Sequence, residues 1–548
     1  MKAESLTASR EIANRLSILE SAKRTPLDLK AISRVKLLVC KEYGLDRVPK
    51  NSEILEFLDG KERAKFESRL RRKSVRTKSG IAVVTVITKP FECPHGTCIF
   101  CPGGVRFGTP QSYTKNSPAA AFGMARDYDP KRQVVDMLSF LEDNGHNTSK
   151  IEMILLGGTV LAMPKEYVED FVRRCYEALN ERESLGLEDA IRTNETAAHR
   201  SVGLTIETKP DWCREEHVDR LLSYGTTRVE IGVQSLREDV LKFANRGHDL
   251  GDTIRAFRLL KDSSLKVVAH MMPGLPKSDP DKDLGDLLNL VEDQKYRPDM
   301  LKIYPTLVVE GTALYKLYRI GGYKPYDLEQ LKEILCRFKS RVPPWMRIMR
   351  IHREIPKEEI ADGTNGAGNL RQIILEEMER RSLKCRCIRC REVGRKGGEE
   401  GKCSSEEKDD GLSLKRINYA SSGGEEVFIS FEDERSDSLS AFLRLRIPSG
   451  SEYRREIRGQ DASLVRELHV YGTVVPIGER RRPGYKKSDQ PQHTGLGSRL
   501  LLEAERISKE EYSKKKIIVI SAVGTREYYR RRGYSDDGVF VSKEIRSL

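Results

Sequence analysis

Three cysteines, Cys93, Cys98 and Cys101, stand within nine positions in the segment ECPHGTCIFCPGG. A second triplet, Cys385, Cys387 and Cys390, fills the segment CRCIRC, while Cys40, Cys175, Cys213, Cys336 and Cys403 are scattered singly. A disulfide framework would spread pairs along a small secreted chain; two tight triplets in a chain of 548 residues read as metal sites. Structural zinc takes four ligands, and His95, between the first two cysteines, does not fit the paired spacing of zinc modules. The other route to three thiolates is a 4Fe–4S cluster, which normally takes one cysteine per iron. With three cysteines, one iron keeps an open position where a small molecule can bind and be reduced.

A second candidate site lies near the C-terminus. The segment QHTGLGSRLL, with Gln492, Gly495 and Gly497, follows the apolar run ELHVYGTVV across a loop and opens a helix-like stretch. Glycines at the start of a helix let an anionic ligand approach the backbone N–H groups. A glycine-rich hexapeptide alone is weak evidence, because many are ordinary turns. Downstream, GTREYYRRRGY offers two adjacent tyrosines, Tyr528 and Tyr529.

These residues need elements to hold them. From about residue 81, strand-length apolar runs recur: IAVVTVITKP, KIEMILLGGT, GLTIETKPD, TRVEIGVQS, KVVAHMMPGLP and MLKIYPTLV. Stretches with helical spacing, such as DPKRQVVDMLSFLEDNG, lie between them. Apolar strands alternating with amphipathic helices predict a parallel sheet, and this many units predict a barrel or partial barrel. In such a fold the chemistry sits where strands end. The cysteines follow the first strand, Gly157 and Gly158 the second, and Glu207 and Lys209 fall near the third. Gln234, Ser235 and His270 close the fourth and fifth. Residues 385–412 read as an exposed linker, and the chain beyond reads as α+β.

The expected organisation is therefore a basic helical segment over residues 1–80, a barrel over 81–370, a metal-binding linker over 371–412 and an α+β domain over 413–548. The formal net charge of +14 points to a polyanionic partner, and residues 61–78 carry nine Lys or Arg against two Glu. A solvated helix face is the ordinary reading of a charge run, but here the acids are too few to pair with the bases. No stretch approaches the roughly 18 consecutive apolar residues of a membrane span, and the N-terminus has no apolar signal region. A cytoplasmic protein without a membrane partner is expected.

The spacing C-x4-C-x2-C after a first barrel strand resembles the radical S-adenosylmethionine superfamily, with one residue more than its usual loop. That resemblance implies a 4Fe–4S cluster on Cys93, Cys98 and Cys101 and S-adenosylmethionine as cosubstrate, cleaved to a 5′-deoxyadenosyl radical. Gly157 and Gly158 would lie close to its methionine moiety. The Gln492–Gly497 segment resembles the coenzyme A loop of GCN5-related N-acetyltransferases, and Tyr528 and Tyr529 match the tyrosine that approaches the thioester sulfur there. A barrel of the first kind joined to a domain of the second is a rare pairing, and the chain resembles the family of Elongator's catalytic third subunit. The stretches that carry this include TIETKPDWC, EIGVQS, NRGHD, VVAHMMPGLP and KIYPTLVVEGT.

That family resemblance implies a tRNA-modifying enzyme that builds 5-carboxymethyluridine at the wobble position, using the radical to activate the methyl of acetyl-CoA. Acetyl-CoA contacts would fall on Lys150, Glu467, Leu468, His469, Val470, Leu496, Gly497, Ser498 and Tyr529. Composition alone would leave Lys150 a solvated edge residue; only the resemblance singles it out. Cys385, Cys387 and Cys390 match a structural zinc site, with Cys403 or a histidine open as the fourth ligand. The compact cysteine loop suggests an archaeal or bacterial member that acts without other Elongator subunits and binds the tRNA anticodon stem-loop itself. Two rival readings remain: a protein lysine acetyltransferase with Glu467 or His469 as base, and a tRNA-binding scaffold with inactive cofactor sites.

Overall fold

The computed structural model describes residues 2–21, 29–45, 48–49, 51–55, 57–58, 66, 79–363, 369–393, 411–472 and 495–545. The basic stretch 61–78 apart from Phe66, together with Gln492 and Cys403, lies outside the described residues. The N-terminal helices Lys2–Ser21, Leu29–Glu42 and Asn51–Leu55 close on a small core of their own around Ile12, Leu16, Val39 and Ile54. Among the described residues no helix is long and apolar enough to cross a membrane.

Seven parallel strands form the central sheet: β1 (Ala82–Ile87), β2 (Lys150–Leu156), β3 (Arg200–Thr208), β4 (Arg228–Gln234), β5 (Lys266–Met271), β6 (Met300–Ile303) and, past the short β7 (Val308–Val309), β8 (Arg347–Ile351). The short β9 (Ile360–Asp362) pairs with β7. Helices return the chain between strands, several started by an aspartate cap; Asp129 Oδ1, for example, accepts from the Arg132 amide at 2.9 Å. This is the half-barrel expected from the six apolar runs, with one strand more. The seventh, RIMRI, is interrupted by Arg347 and Arg350 and does not show the continuous apolar run of the others.

The two faces of this sheet differ sharply. Ile151, Met153, Leu155, Ile206, Ile231 and Val267 pack with the helix residues Val134, Leu138, Phe171 and Val172 in the main core. The opposite face carries the charges. Registers Glu207↔Glu230, Arg228↔Lys266 and His270↔Lys302 set these residues side by side, turned away from the helices.

The second sheet runs β10 (Leu412–Ser421), β11 (Gly424–Asp433), β12 (Ser438–Ile447), β13 (Ala462–Val470), β14 (Lys516–Val519), β16 (Phe540–Glu544) and β15 (Ser535–Asp537). All its pairings are antiparallel except β13 with β14. It packs the helix Leu496–Arg506 through Leu496, Leu500, Leu501 and Ala504 in a separate core. The mixed sheet and its single parallel pair are compatible with the acetyltransferase-like domain expected here.

One expectation fails. Residues 385–393 are not an exposed linker: Cys387 and Ile388 are fully buried in the main core, and Arg391 is 1% exposed. The apolar Ile388 amid arginines was enough to anchor a short helix, Ile388–Arg391, beneath β8.

Candidate functional site

Cys93, Cys98 and Cys101 follow β1 on the loop that leaves the C-terminal rim of the barrel. Gly103 makes the tight return possible: its φ is +73°, and a Cβ there would sit 1.9 Å from the Tyr113 carbonyl oxygen. The three sulfurs have unequal surroundings. Cys93 Sγ lies 3.8 Å from Thr159 Oγ1, and Cys101 Sγ lies 3.3 Å from Ser112 Oγ and donates to Gln111 Oε1 at 3.5 Å. Burial raises the Cys93 thiol and, with the nearby Cys98, pushes Cys101 up to about 12. Cys98 instead accepts from Arg246 Nη1 at 3.2 Å and lies 3.2 Å from His95 Nε2.

Across the rim, the amides of Gly157 and Gly158 donate to Glu207 Oε2 at 3.4 and 3.3 Å, and the Tyr113 hydroxyl donates to the same oxygen at 3.2 Å. Gly157 has no room for a side chain, since a Cβ would stand 2.2 Å from Thr88 Oγ1. Deeper in the barrel, the buried Glu230 accepts from Lys302, and its Oε2 lies 3.0 Å from His270 Nε2. The Lys302 charge and the hydrogen bond to His270 outweigh the burial penalty and hold the Glu230 carboxyl below the ordinary range. This cluster was not singled out in the sequence beyond His270. The signal was present in RVEIGVQ, where Arg228, Glu230 and Gln234 fall on one side of an otherwise apolar strand and mark a polar face.

The second candidate site is a split in the second sheet. The ladder between β13 and β14 ends at Val465↔Val519, yet β13 runs on to Val470, and β12 carries a bulge opposite it at Arg444/Leu445. The backbone edge of residues 466–470, which includes Glu467, Leu468, His469 and Val470, is thereby left outside that ladder. Gly495, at φ +93°, starts the helix beside this edge, and a Cβ on Gly497 would meet the Tyr528 hydroxyl at 2.9 Å and Val470 Cγ2 at 3.7 Å. Ser498 Oγ accepts from Arg532 Nη2 at 2.7 Å, and Arg532 lies over the Tyr528 ring at 3.6 Å. Tyr529, 6% exposed, packs edge-on against both Tyr528 and Tyr534 in the core. Leu496, Gly497, Ser498 and Tyr528 therefore stand together beside the 466–470 stretch of β13, with Tyr529 behind them.

The split in the second sheet opens against the barrel floor. His469 lies 3.0 Å from the carbonyl oxygen of Ser79, three residues before β1, and donates to it through Nε2. Glu467, bonded to Arg444 at 2.9 Å, also feels the charge of Lys266, whose pKa burial lowers to about 8. Lys150 opens β2 at the same end, and burial lowers it too, to about 8. The cysteine rim and the β13 edge thus lie at opposite ends of one polar face, about 20 Å apart for a six-residue strand.

The two cysteine triplets differ in the way their proposed groups require. Cys385, Cys387 and Cys390 bring their sulfurs within 4.8 Å of one another, the only such group among the described residues. Thiolates on one tetrahedral zinc stand about 3.8 Å apart, from a bond of about 2.3 Å. Hydrogen bonds from Cys385 and Cys390 hold the Cys387 thiol well below its ordinary value, and Lys339 Nζ donates to Cys390 at 3.8 Å. The first triplet is more widely spread, as thiolates on separate irons of a cluster must be. Both donor sets fit.

Residues 89–291 match the family model of the radical SAM superfamily, residues 298–380 that of the radical SAM C-terminal domain, and residues 5–78 that of the ELP3 N-terminal domain. The chain is 46% identical over 524 residues to the tRNA uridine(34) acetyltransferase of Methanocaldococcus infernus, covering 95% of this chain and 96% of the relative. It is 40% identical over 524 residues to human Elongator complex protein 3, covering 94% and 93%. The solved structure of the archaeal Methanocaldococcus infernus Elp3 with an N-terminal deletion superposes with a TM-score of 0.73 at 43% identity, over 85% of this chain and 99% of that one. The chain therefore belongs to the Elongator complex protein 3 family, within the radical SAM superfamily.

Proposed function

We propose that this protein modifies uridine 34 of tRNA, and that the modification is carboxymethylation of carbon 5 with acetyl-CoA as carbon donor. The observation that carries the reading is the polar face that runs from the cysteine rim of the barrel to the 466–470 stretch of β13. Two chemistries that must meet would then share one enclosed path rather than two separate surfaces. With a 4Fe–4S cluster and S-adenosylmethionine bound, the rim supplies hydrogen-atom abstraction, and acetyl-CoA in the split sheet supplies the two-carbon unit.

The chain's own residues would divide the work. Cys93, Cys98 and Cys101 hold the cluster, and the bare backbone of Gly157 and Gly158 admits the cosubstrate beside it. Gly495, Gly497 and the helix they open receive the pyrophosphate of coenzyme A, with Lys150 supplying charge. The 466–470 stretch of β13 lies along the pantetheine arm, and Tyr528 or Tyr529 approaches the sulfur. Cys385, Cys387 and Cys390 hold a structural zinc. The rival acetyltransferase reading needs an acceptor lysine to reach Glu467 or His469, and His469 Nε2 is already engaged by the Ser79 carbonyl.

The test is mass spectrometry of nucleosides from tRNA incubated anaerobically with the reconstituted protein, reductant, S-adenosylmethionine and acetyl-CoA. Conversion of uridine 34 to 5-carboxymethyluridine is expected. Acetylated protein lysines beside unchanged uridine would establish the rival instead.

A further inference from the structure

The segment NRGHD, residues 245–249, is joined to the cysteine loop through its first three residues. The Ile99 amide donates to the Ala244 carbonyl at 3.2 Å, and Asn245 Nδ2 donates to the Thr97 carbonyl at 3.0 Å. Gly247, at φ +65°, lies so close to His95 that a Cβ would stand 2.5 Å from that residue's own Cβ. Arg246 is 6% exposed, and its fork has two ends: Nη2 donates to the Gly232 carbonyl at 2.6 Å and Nη1 to Cys98 Sγ at 3.2 Å. Gly232 belongs to β4, so the guanidinium is braced against the sheet and aimed at one sulfur.

His95 adds a second donor to the same sulfur. Lys209 Nζ lies 3.1 Å from His95 Nδ1, and an amine there donates to that nitrogen. Nδ1 must then be the acceptor, which places the imidazole proton on Nε2, 3.2 Å from Cys98 Sγ. Cys98 therefore faces two N–H donors, one of them a permanent cation. Among the described residues, Cys93 Sγ meets the Thr159 hydroxyl at 3.8 Å and Cys101 Sγ the Ser112 hydroxyl at 3.3 Å, while the other contacts of Cys101, Gln111 Oε1 and the Pro102 carbonyl, are acceptors. Hydrogen bonds to cluster sulfurs and nearby positive charge both favour the reduced cluster, which carries one more negative charge.

We propose that Arg246 is a positioning residue that sets the reduction potential of the cluster through Cys98, with His95 and Lys209 as a weaker second branch. This rests on the proposed cluster but not on the identity of the tRNA product. The guanidinium does not touch the reacting carbon; it makes electron entry easier at the one sulfur it braces.

The test is a potentiometric titration of the reconstituted full-length protein, followed by the electron paramagnetic resonance signal of the reduced cluster, without tRNA or acetyl-CoA. Arg246→Gln, which keeps a donor and removes the charge, is expected to retain its iron and sulfide. Its ratio of reduced to oxidised cluster at a fixed potential should fall about tenfold, about 59 mV for a one-electron couple. Arg246→Lys, which keeps the charge and loses the fork, should fall between Arg246→Gln and the unaltered protein. An unchanged midpoint in Arg246→Gln overturns the proposal, as does an unchanged midpoint joined to weaker S-adenosylmethionine binding, which would assign Arg246 to the cosubstrate. If Arg246→Gln does not hold iron, Arg246→Lys decides alone: a lowered midpoint supports the role and an unaltered one refutes it.

Discussion

Arg466 of β13 and Asp299, just before β6, form an ion pair with both side chains fully buried between the two sheets; Arg466 Nη1 donates to Asp299 Oδ2 at 3.0 Å. Arg466 also donates to the Leu265 carbonyl at 2.8 Å, so one side chain holds two strand starts of the barrel. Asp299 in turn accepts from the Val267 amide at 2.8 Å. Arg446 repeats the device against Asp262 at 2.7 Å. Removing one partner leaves an uncompensated buried charge, so Asp299→Ala is expected to destabilise the protein by about 3–5 kcal/mol. Denaturant unfolding of the full chain measures this. A loss under about 1 kcal/mol would mean that the pair does not hold the sheets together.

Lys150 gives a pH dependence with a definite sign. Burial lowers its pKa to about 8, so the ammonium is charged below that value and neutral above it. Affinity for coenzyme A phosphates supplied by this charge is full at lower pH and lost as pH rises through about 8. Stability moves the other way: between about 8 and 10.5 the unfolded chain still holds the proton that the native state has released, so stability rises with pH. Calorimetric titration of acetyl-CoA one unit below and one unit above the lowered value should show the loss, and Lys150→Met should abolish the difference.

Gly497 tests the second site sterically. A Cβ there meets the end of the Tyr528 side chain at 2.9 Å, so Gly497→Ala should fold while shifting that hydroxyl. Acetyl-CoA affinity is expected to fall about tenfold, or about 1.4 kcal/mol. In a Tyr528→Phe background the same alanine should cost less, which a double-mutant cycle reads directly.

The zinc site should be structural. Cys387→Ser is expected to lose one equivalent of zinc by elemental analysis and to lower the thermal midpoint, because Cys387 is buried in the main core. Chelation of the unaltered protein should lower that midpoint similarly while leaving the iron content of the first triplet unchanged. Retention of zinc in Cys387→Ser would remove the assignment.

Much of this was legible in the sequence, for identifiable reasons. Strands β1 to β6 announced themselves because a parallel strand packed under helices needs apolar residues on that face whatever lies on the other. β8 and β10 did not, because RIMRI and LSLKRINYAS carry charges that the fold pairs or exposes only in three dimensions. Cys93, Cys98 and Cys101 were readable as a ligand set from spacing alone. The inequality among them was not, since Arg246 approaches Cys98 from a segment 148 residues away. The linker reading failed at Cys387 because local composition does not report which side of a short basic helix is buried. Lys150 came only from family resemblance, and its position on the barrel floor, the end of the sheet where Lys266 also lies, is a product of topology.

The most direct measurement is an anaerobic turnover with methyl-deuterated acetyl-CoA, tRNA and S-adenosylmethionine, analysed for both products. The expected result is deuterium in 5′-deoxyadenosine together with deuterium-bearing 5-carboxymethyluridine at position 34. Unlabelled 5′-deoxyadenosine alongside unmodified uridine, in protein that has its full cluster and binds tRNA, would contradict the joining of the two sites in one reaction.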